Sequence, residues 1–274
     1  MTDVFHRRYE ILGPLRIVND EQSAAFVSIS ARKVATLLAT LLVRADQVIS
    51  LDELISELWL DRPPRRVGAT LHVYISQLRK LLKQPDRPES PIITRSSGYM
   101  LRLENDRIDV QDMRRLMQEG YNFARAGKHQ VAARYFAEAL NLWRAPALSE
   151  LRDGPILQNV TNWLDGVEIE CAEMLNHAEL VLGQYNTVAG RLHQLVAEHP
   201  LNEAFAGQYM FALTRSGRRA AALEVYRNIR NTLNRELGLE PGEELQAIHK
   251  EALDGSSRLG WGEMLGKRLV HEGF

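Results

Sequence analysis

The spacing of apolar residues along this chain changes once, near residue 105, and that change constrains the fold more than any other feature. Up to Leu103, short apolar runs alternate with Gly, Pro, Asn and Asp turns and with a few helical stretches; from Ile108 onward the spacing is helical almost throughout. The pattern predicts a mixed α+β unit over residues 1–104, an all-helical unit over 105–254 and a tail over 255–274. A chain of 274 residues is long enough for two cores of ordinary size.

The first thirty residues hold three short extended runs, Tyr9 to Leu12, Leu15 to Val18 and Phe26 to Ile29, separated by Gly13-Pro14 and Asn19-Asp20. They predict a small antiparallel sheet. Ser30 is placed to cap a helix that runs through Val43 and is apolar nearly all round, so that helix belongs in the centre of the first core. Val48-Ile49 is a short extended stretch, and Ser50-Leu51-Asp52-Glu53 is a capping box opening a second helix to about Trp59. Pro63-Pro64 separates it from a third, in which Leu71, Ile75, Leu78 and Leu82 fall four, three and four apart on one face. Ile92 to Arg95 and Tyr99 to Leu103, joined through Ser96-Ser97-Gly98, predict a β-hairpin. Sheet, three helices and closing hairpin is the order of a winged helix-turn-helix domain of the OmpR/PhoB type.

The formal net charge of −1 conceals a local excess. Arg62 to Arg102 carries nine basic residues against Asp86 and Glu89, a stripe that attracts polyanions. A charge run is more often a solvated face than a binding site, so position must decide. Opposite its buried stripe the third helix presents Ala69, Val73, Ser76, Gln77 and Lys80, with Thr70 and Tyr74 on one flank and Arg79 and Lys83 on the other. A surface with few bulky aliphatic groups and several donors suits a helix that enters a major groove about 12 Å wide. Cations stand on both sides of it, Arg65 and Arg66 before the helix and Arg95 after it. The candidate DNA contacts are Arg32, Lys33, Arg65, Arg66, Thr70, Val73, Tyr74, Ser76, Gln77, Lys80, Arg95, Ser97 and Tyr99.

In the second half, Gly120, Phe123, Ala132, Phe136 and Ala139 fit the small and aromatic positions of a tetratricopeptide repeat, with Gly127 in the turn. Gly183, Val188, Leu192 and Leu195 fit a second copy, and Met210, Leu213, Gly217, Ala222, Tyr226 and Ile229 a third. Gly183 and Gly217 lie 34 residues apart, whereas the first step is 56, which predicts an extra helical segment over Trp143 to Trp163. A plain helical bundle would bury the same residues; the register shared by three copies favours a solenoid, whose concave face suits protein contacts. Gly255 to Phe274 reads either as an amphipathic tail packed on the last helices or as a disordered end.

No phosphate-binding loop, H-E-x-x-H helix or G-x-S-x-G elbow occurs, the eight histidines are scattered, and His193 and His199 are poorly spaced for a shared metal, so neither an enzyme nor a cofactor is expected. The lone Cys171 fits a reducing compartment and a small helix residue. The longest uncharged apolar run, Val34 to Val43, is too short to span a bilayer, so a cytoplasmic protein without a membrane partner is expected. At this length no receiver, ATPase or phosphopeptide-binding domain is expected.

Ile11 to Leu15, Gln47 to Ile55 with Leu58-Trp59, Thr70 to Leu82, and the hairpin Ile93 to Leu101 resemble the DNA-binding domain of the Streptomyces antibiotic regulatory proteins (SARPs). Ala139 to Arg144, Ser216 to Leu223 with Tyr226, and Glu236 to Gly242 resemble that family's bacterial transcriptional activation domain, so the likeness covers about residues 9–253. Gln77 departs from it, standing where the family often has Arg, and Gln favours adenine over guanine as a bidentate partner. The resemblance implies a transcriptional activator that binds direct repeats near the −35 promoter element as a dimer. It further implies contacts to RNA polymerase including its sigma factor, and a secondary-metabolite cluster as the target. The alternative is a regulator whose helical repeats sense a ligand or peptide.

Overall fold

The computed structural model describes residues 7–19, 26–83, 89–254 and Trp261. Its chain divides into two compact units, Met1–Arg115 with Ala139–Glu168, and Leu116–Glu138 with Ile169–Phe274. This division does not follow the sequence boundary expected at 104/105.

In the first unit, β1 (Arg8–Glu10), β2 (Arg16–Val18) and β3 (Phe26–Val27) pair antiparallel as expected, with Tyr9 opposite Ile17. The sheet gains a strand that the sequence did not announce: β7 (Arg107–Ile108) lies parallel to β1, giving the order β3-β2-β1-β7. Helix α1 (Arg32–Val43) buries every residue from Val34 to Leu42. Its N-cap is Ala31 rather than Ser30, and no side chain caps it; burial rather than capping holds this helix. Strand β4 (Ile49–Ser50) leads into α2 (Leu51–Trp59), whose capping box forms as expected. The Ser50 hydroxyl and amide, with Arg44 beside them, hold the Glu53 carboxyl down at about 2. Helix α3 (Val67–Leu81) buries Leu71, Ile75 and Leu78, and β5 (Ile92–Arg95) with β6 (Gly98–Leu101) forms the hairpin, β6 lying between β4 and β5.

Three buried polar groups lock this unit together. Arg7 is buried and donates to the Leu82 carbonyl at the end of α3, to Asn19 and to Tyr9, placing a cation where helix carbonyls are unpaired. Asp109, the first residue of α4 (Asp109–Arg125), accepts the amides of Ile11 and Leu12. Burial outweighs those two bonds and pushes its carboxyl up to about 6. Glu57, only 2% exposed, accepts the amides of Ile156 and Leu157 at 2.6 and 3.0 Å. Those amides open α6 (Pro155–Val181), and proline at its first position has no N–H to satisfy. Residues 141–154 are turns, so the helical segment expected over Trp143 to Trp163 is instead a loop followed by the start of α6. Leu148, Leu151, Ile156 and Leu157 from this stretch are buried in the same core as Tyr9, Leu38 and Leu101.

The second unit contains the turn from α4 into α5 (His129–Leu140), the later part of α6, α7 (Tyr185–Glu198), α8 (Glu203–Arg215), α9 (Arg219–Leu237) and α10 (Glu243–Asp254). Three helix-to-helix turns repeat one geometry. Gly127, Gly183 and Gly217 have φ of 69, 76 and 76°, a region that only glycine enters freely. The residue after each donates to the carbonyl five back (Phe123, Glu179, Leu213), and each glycine donates to the carbonyl three back (Ala124, Leu180, Thr214). This is the Schellman closure, and its recurrence makes the repeat register physical. At Gly120 α4 and α5 approach closely, since a Cβ there would fall 2.7 Å from the Phe136 ring. Cys171 is buried and its thiol donates to the Phe136 carbonyl. Of the tail, Trp261 is buried with its indole N–H on His177; the rest of the expected amphipathic tail lies outside the described residues.

Candidate nucleic-acid interface

Burial of Leu71, Ile75 and Leu78 dictates which way α3 faces. Ala69, Val73, Ser76, Gln77 and Lys80 are all exposed on its other side, Val73 at 53%. Arg65 and Arg66 are exposed in the turn that leads in; Arg66 is the N-cap residue and puts no side chain on the first amides. The first turn of α3 carries no acidic residue, so nothing there repels an anion.

The hairpin is fixed to this helix by Arg79, whose guanidinium donates to the Ile92 carbonyl at 3.0 and 3.2 Å and to the Thr94 hydroxyl at 2.8 Å. Arg79 therefore positions the wing. Gly98 is needed where β6 passes β4, because a Cβ would sit 1.9 Å from the Ile49 carbonyl oxygen. The Ser97 carbonyl accepts the Leu51 amide, so the wing tip is also tied to the start of α2. Arg95 and Ser97 are exposed at that tip.

Other expected contacts are differently placed. Tyr99 is 4% exposed, its ring edge-on to His72, and is a core residue rather than a contact. Tyr74 is half-buried and stacked on Trp59 at 6.0 Å, which keeps α2 against α3. Thr70 is half-buried with its hydroxyl on the Arg66 carbonyl. At the start of α1, Arg32 pairs with Asp153 at 2.5 Å, and Lys33 donates to the Leu58 carbonyl. Both members of the Arg32 pair are well exposed, so the pair is weak and exchangeable. The exposed His72, packed edge-on against Tyr99, is a surface residue of α3 that sequence reasoning passed over.

Residues 108–253 match the bacterial transcriptional activator domain, and residues 28–101 match the C-terminal domain of transcriptional regulatory proteins. The regulatory protein DnrI of Streptomyces peucetius is 32% identical over 249 residues, covering 89% of this chain and 90% of that protein. The chain belongs to the Streptomyces antibiotic regulatory protein family. It is similar as well to RedD of Streptomyces coelicolor, 33% identical over 246 residues that cover 89% of this chain and 69% of RedD. The structure of Mycobacterium tuberculosis EmbR in complex with a low affinity phosphopeptide matches this SARP with a TM-score of 0.87 and 28% identity, over 95% of this chain and 68% of that one. In sequence the chain spans 63% of EmbR at 30% identity. These families and relatives are transcriptional regulators, not enzymes, and the fold is an OmpR-type winged helix followed by a helical activator domain. Among the described residues no group of three His, Cys, Asp or Glu could hold a metal ion, and no helix is long and apolar enough to cross a membrane.

Proposed function

We propose that this SARP reads promoter DNA with the exposed face of α3 in the major groove, while Arg65 and Arg66 on one side and Arg95 on the other hold phosphates. What carries the reading is that juxtaposition: a helix face of Val73, Ser76, Gln77 and Lys80, free of large apolar groups other than one valine, between two cationic shoulders. Gln77 and Val73 are the base-reading pair, an amide for adenine and an aliphatic group for a thymine methyl. Arg32 joins the phosphate contacts by exchanging Asp153 for a phosphate. Two protomers occupy direct repeats near the −35 element, and the helical activator domain contacts RNA polymerase, including its sigma factor. The outcome is expression of a secondary-metabolite cluster by a protein resident on the nucleoid.

The test uses the full chain, because a fragment ending at Leu103 would lack β7, Asp109 and the core residues Leu148 to Leu157. Footprinting and run-off transcription are measured together on a promoter of the native cluster, at protein concentrations that saturate the site. Protection of two direct repeats with increased transcript is expected. Full occupancy without added transcript would remove polymerase recruitment and leave the sensing role of the helical repeats as the better account.

A further inference from the structure

Helix α3 has a flank on either side of its exposed face, and the two are not equivalent. On one, Thr70 is half-buried with its hydroxyl on the Arg66 carbonyl, and Tyr74 is half-buried against Trp59. On the other, Arg79 is committed to the wing through the Ile92 carbonyl and the Thr94 hydroxyl. His72 stands nearly two turns earlier on that same flank, since seven residues bring a helix back to almost the same direction. It is exposed, directly before Val73 and one turn before Ser76. Its ring is set edge-on to Tyr99, at 6.3 Å between centroids and 88° between planes. Tyr99 is 4% exposed and belongs to β6, the middle strand of its sheet. The imidazole therefore rests on a fixed support, between the reading face of α3 and the wing.

That position selects the kind of atom it meets. A helix with its side chains is about 10–12 Å across, and the major groove is about 12 Å wide. The centre of the exposed face therefore meets base edges, while the flanks meet the sugar–phosphate strands that wall the groove. Imidazole is the side chain whose charge ordinarily changes between about pH 5 and 8. A phosphate beside it favours the protonated form, in which both ring nitrogens donate. A complex in which His72 meets a phosphate thus holds more protons than the free partners, and its affinity rises as pH falls.

We propose that His72 is a proton-linked phosphate contact: its imidazolium donates to the DNA strand lying between α3 and the wing, and binding takes up a proton there. The charged and titratable groups on the elements around it are Arg79 and Lys80 on α3, Arg65 and Arg66 in the turn before it, Tyr99 on β6, Arg95 at the wing tip, and Asp52 and Glu53 at the start of α2. Glu53 is held by Ser50 and Arg44. Guanidinium and ammonium groups keep their charge through neutral pH, so the imidazole is the group on this surface that changes it. The proposal rests on the docking of α3 in the major groove and adds a pH dependence to it.

Fluorescence anisotropy of the full chain on the tightest duplex selected from a random library, at pH 6, 7 and 8 and several salt concentrations, tests the proposal. His72→Gln, His72→Arg and Gln77→Ala are measured beside the parent. Between pH 6 and pH 8 the parent should lose about three- to tenfold in affinity relative to His72→Gln. The ratio of the two removes the other titrating groups, Asp109 among them. The salt slope of the parent should be steeper at pH 6 than at pH 8, by up to about one per protomer, and that of His72→Gln equal at both. His72→Arg carries a permanent charge and should bind at pH 8 about as the parent does at pH 6. Circular dichroism at each pH establishes that the variants are folded. A His72→Gln profile parallel to that of the parent would overturn the proposal. So would His72→Arg binding as weakly as His72→Gln, the result for a ring that only supports Tyr99. The selectivity of Gln77→Ala for the selected duplex over a scrambled one separates this failure from that of the docking itself. Parallel pH profiles with reduced selectivity remove the proton-linked contact alone, and parallel profiles with unchanged selectivity remove both.

Discussion

Replacing Glu57 by Gln should destabilise this SARP by about 3 kcal/mol. The carboxylate takes the amides of Ile156 and Leu157 at 2.6 and 3.0 Å, the second and third residues of α6, and no water shares the load because the side chain is buried. Glutamine keeps one acceptor and turns an NH2 toward the other amide, so one charge-assisted bond, about 1.5–3 kcal/mol, is lost. The negative charge at a helix N-terminus is lost too, about 1–2 kcal/mol in a partly buried setting. For a domain of this size that corresponds to roughly 6–12 °C in Tm. Urea unfolding followed by circular dichroism gives the free energy. Amide exchange at Ile156 and Leu157 gives its location, since those two protons should lose protection before the rest of α6. Gly154→Ala should act on the same cap, because its Cβ would fall 2.2 Å from the Glu57 carboxyl carbon. A cost under about 1 kcal/mol for Glu57→Gln, with protection at both amides intact, would refute the capping argument.

Other perturbations follow from the same geometry. Gly98→Ala should unseat the wing, costing about 3 kcal/mol or more, because the new methyl meets the Ile49 backbone rather than a movable side chain; unfolding curves and the loss of DNA affinity check it. Asp109 titrates near 6 in the folded chain against an ordinary 3.8, so its contribution to stability is fully present below about pH 4 and is lost as pH rises through 6. Asp109→Asn, which cannot ionise, should therefore gain on the parent by about 3 kcal/mol between pH 4 and pH 7, read from paired urea titrations; a pH-independent difference would show that the two amide bonds, not burial, set its ionisation. Gly217→Ala should cost about 1 kcal/mol, a backbone effect only, since φ is 76° and no atom lies within 4 Å of the added methyl.

Local signals in the sequence led to local structure. The capping box at Ser50, the stripe Leu71-Ile75-Leu78 and the two-residue wing turn depend on residues close in sequence, and their residue types name their geometry. The repeat was legible for the same reason, because each Schellman turn closes over six residues around a glycine. What stayed hidden were the long-range polar locks. Glu57 has no neighbour in sequence that signals burial, and only the approach of a chain segment about a hundred residues away turns it into a cap. Strand β7 has two residues, too few for any periodicity, and exists because β1 offers an edge. Tyr99 is an expected contact beside the wing turn, but β6 is the middle strand of its sheet and is buried at all four positions, with the Tyr99 ring edge-on to His72. Arg79 lay on a flank of the helical wheel that sequence alone leaves ambiguous, and the Ile92 carbonyl resolves it as a strut for the wing.

In the proposed mode of binding, α3 reads bases through Gln77 while the cations beside it hold only phosphates. Binding of the full chain to a library of promoter sites, measured at several salt concentrations for the parent, Gln77→Ala and Arg95→Ala, tests it most directly. Gln77→Ala should lose about 1–3 kcal/mol of discrimination at one base position and keep the salt dependence. Arg95→Ala should weaken all sites alike and lower the salt slope by about one. An unchanged base preference in Gln77→Ala together with an altered preference in Arg95→Ala would contradict the account.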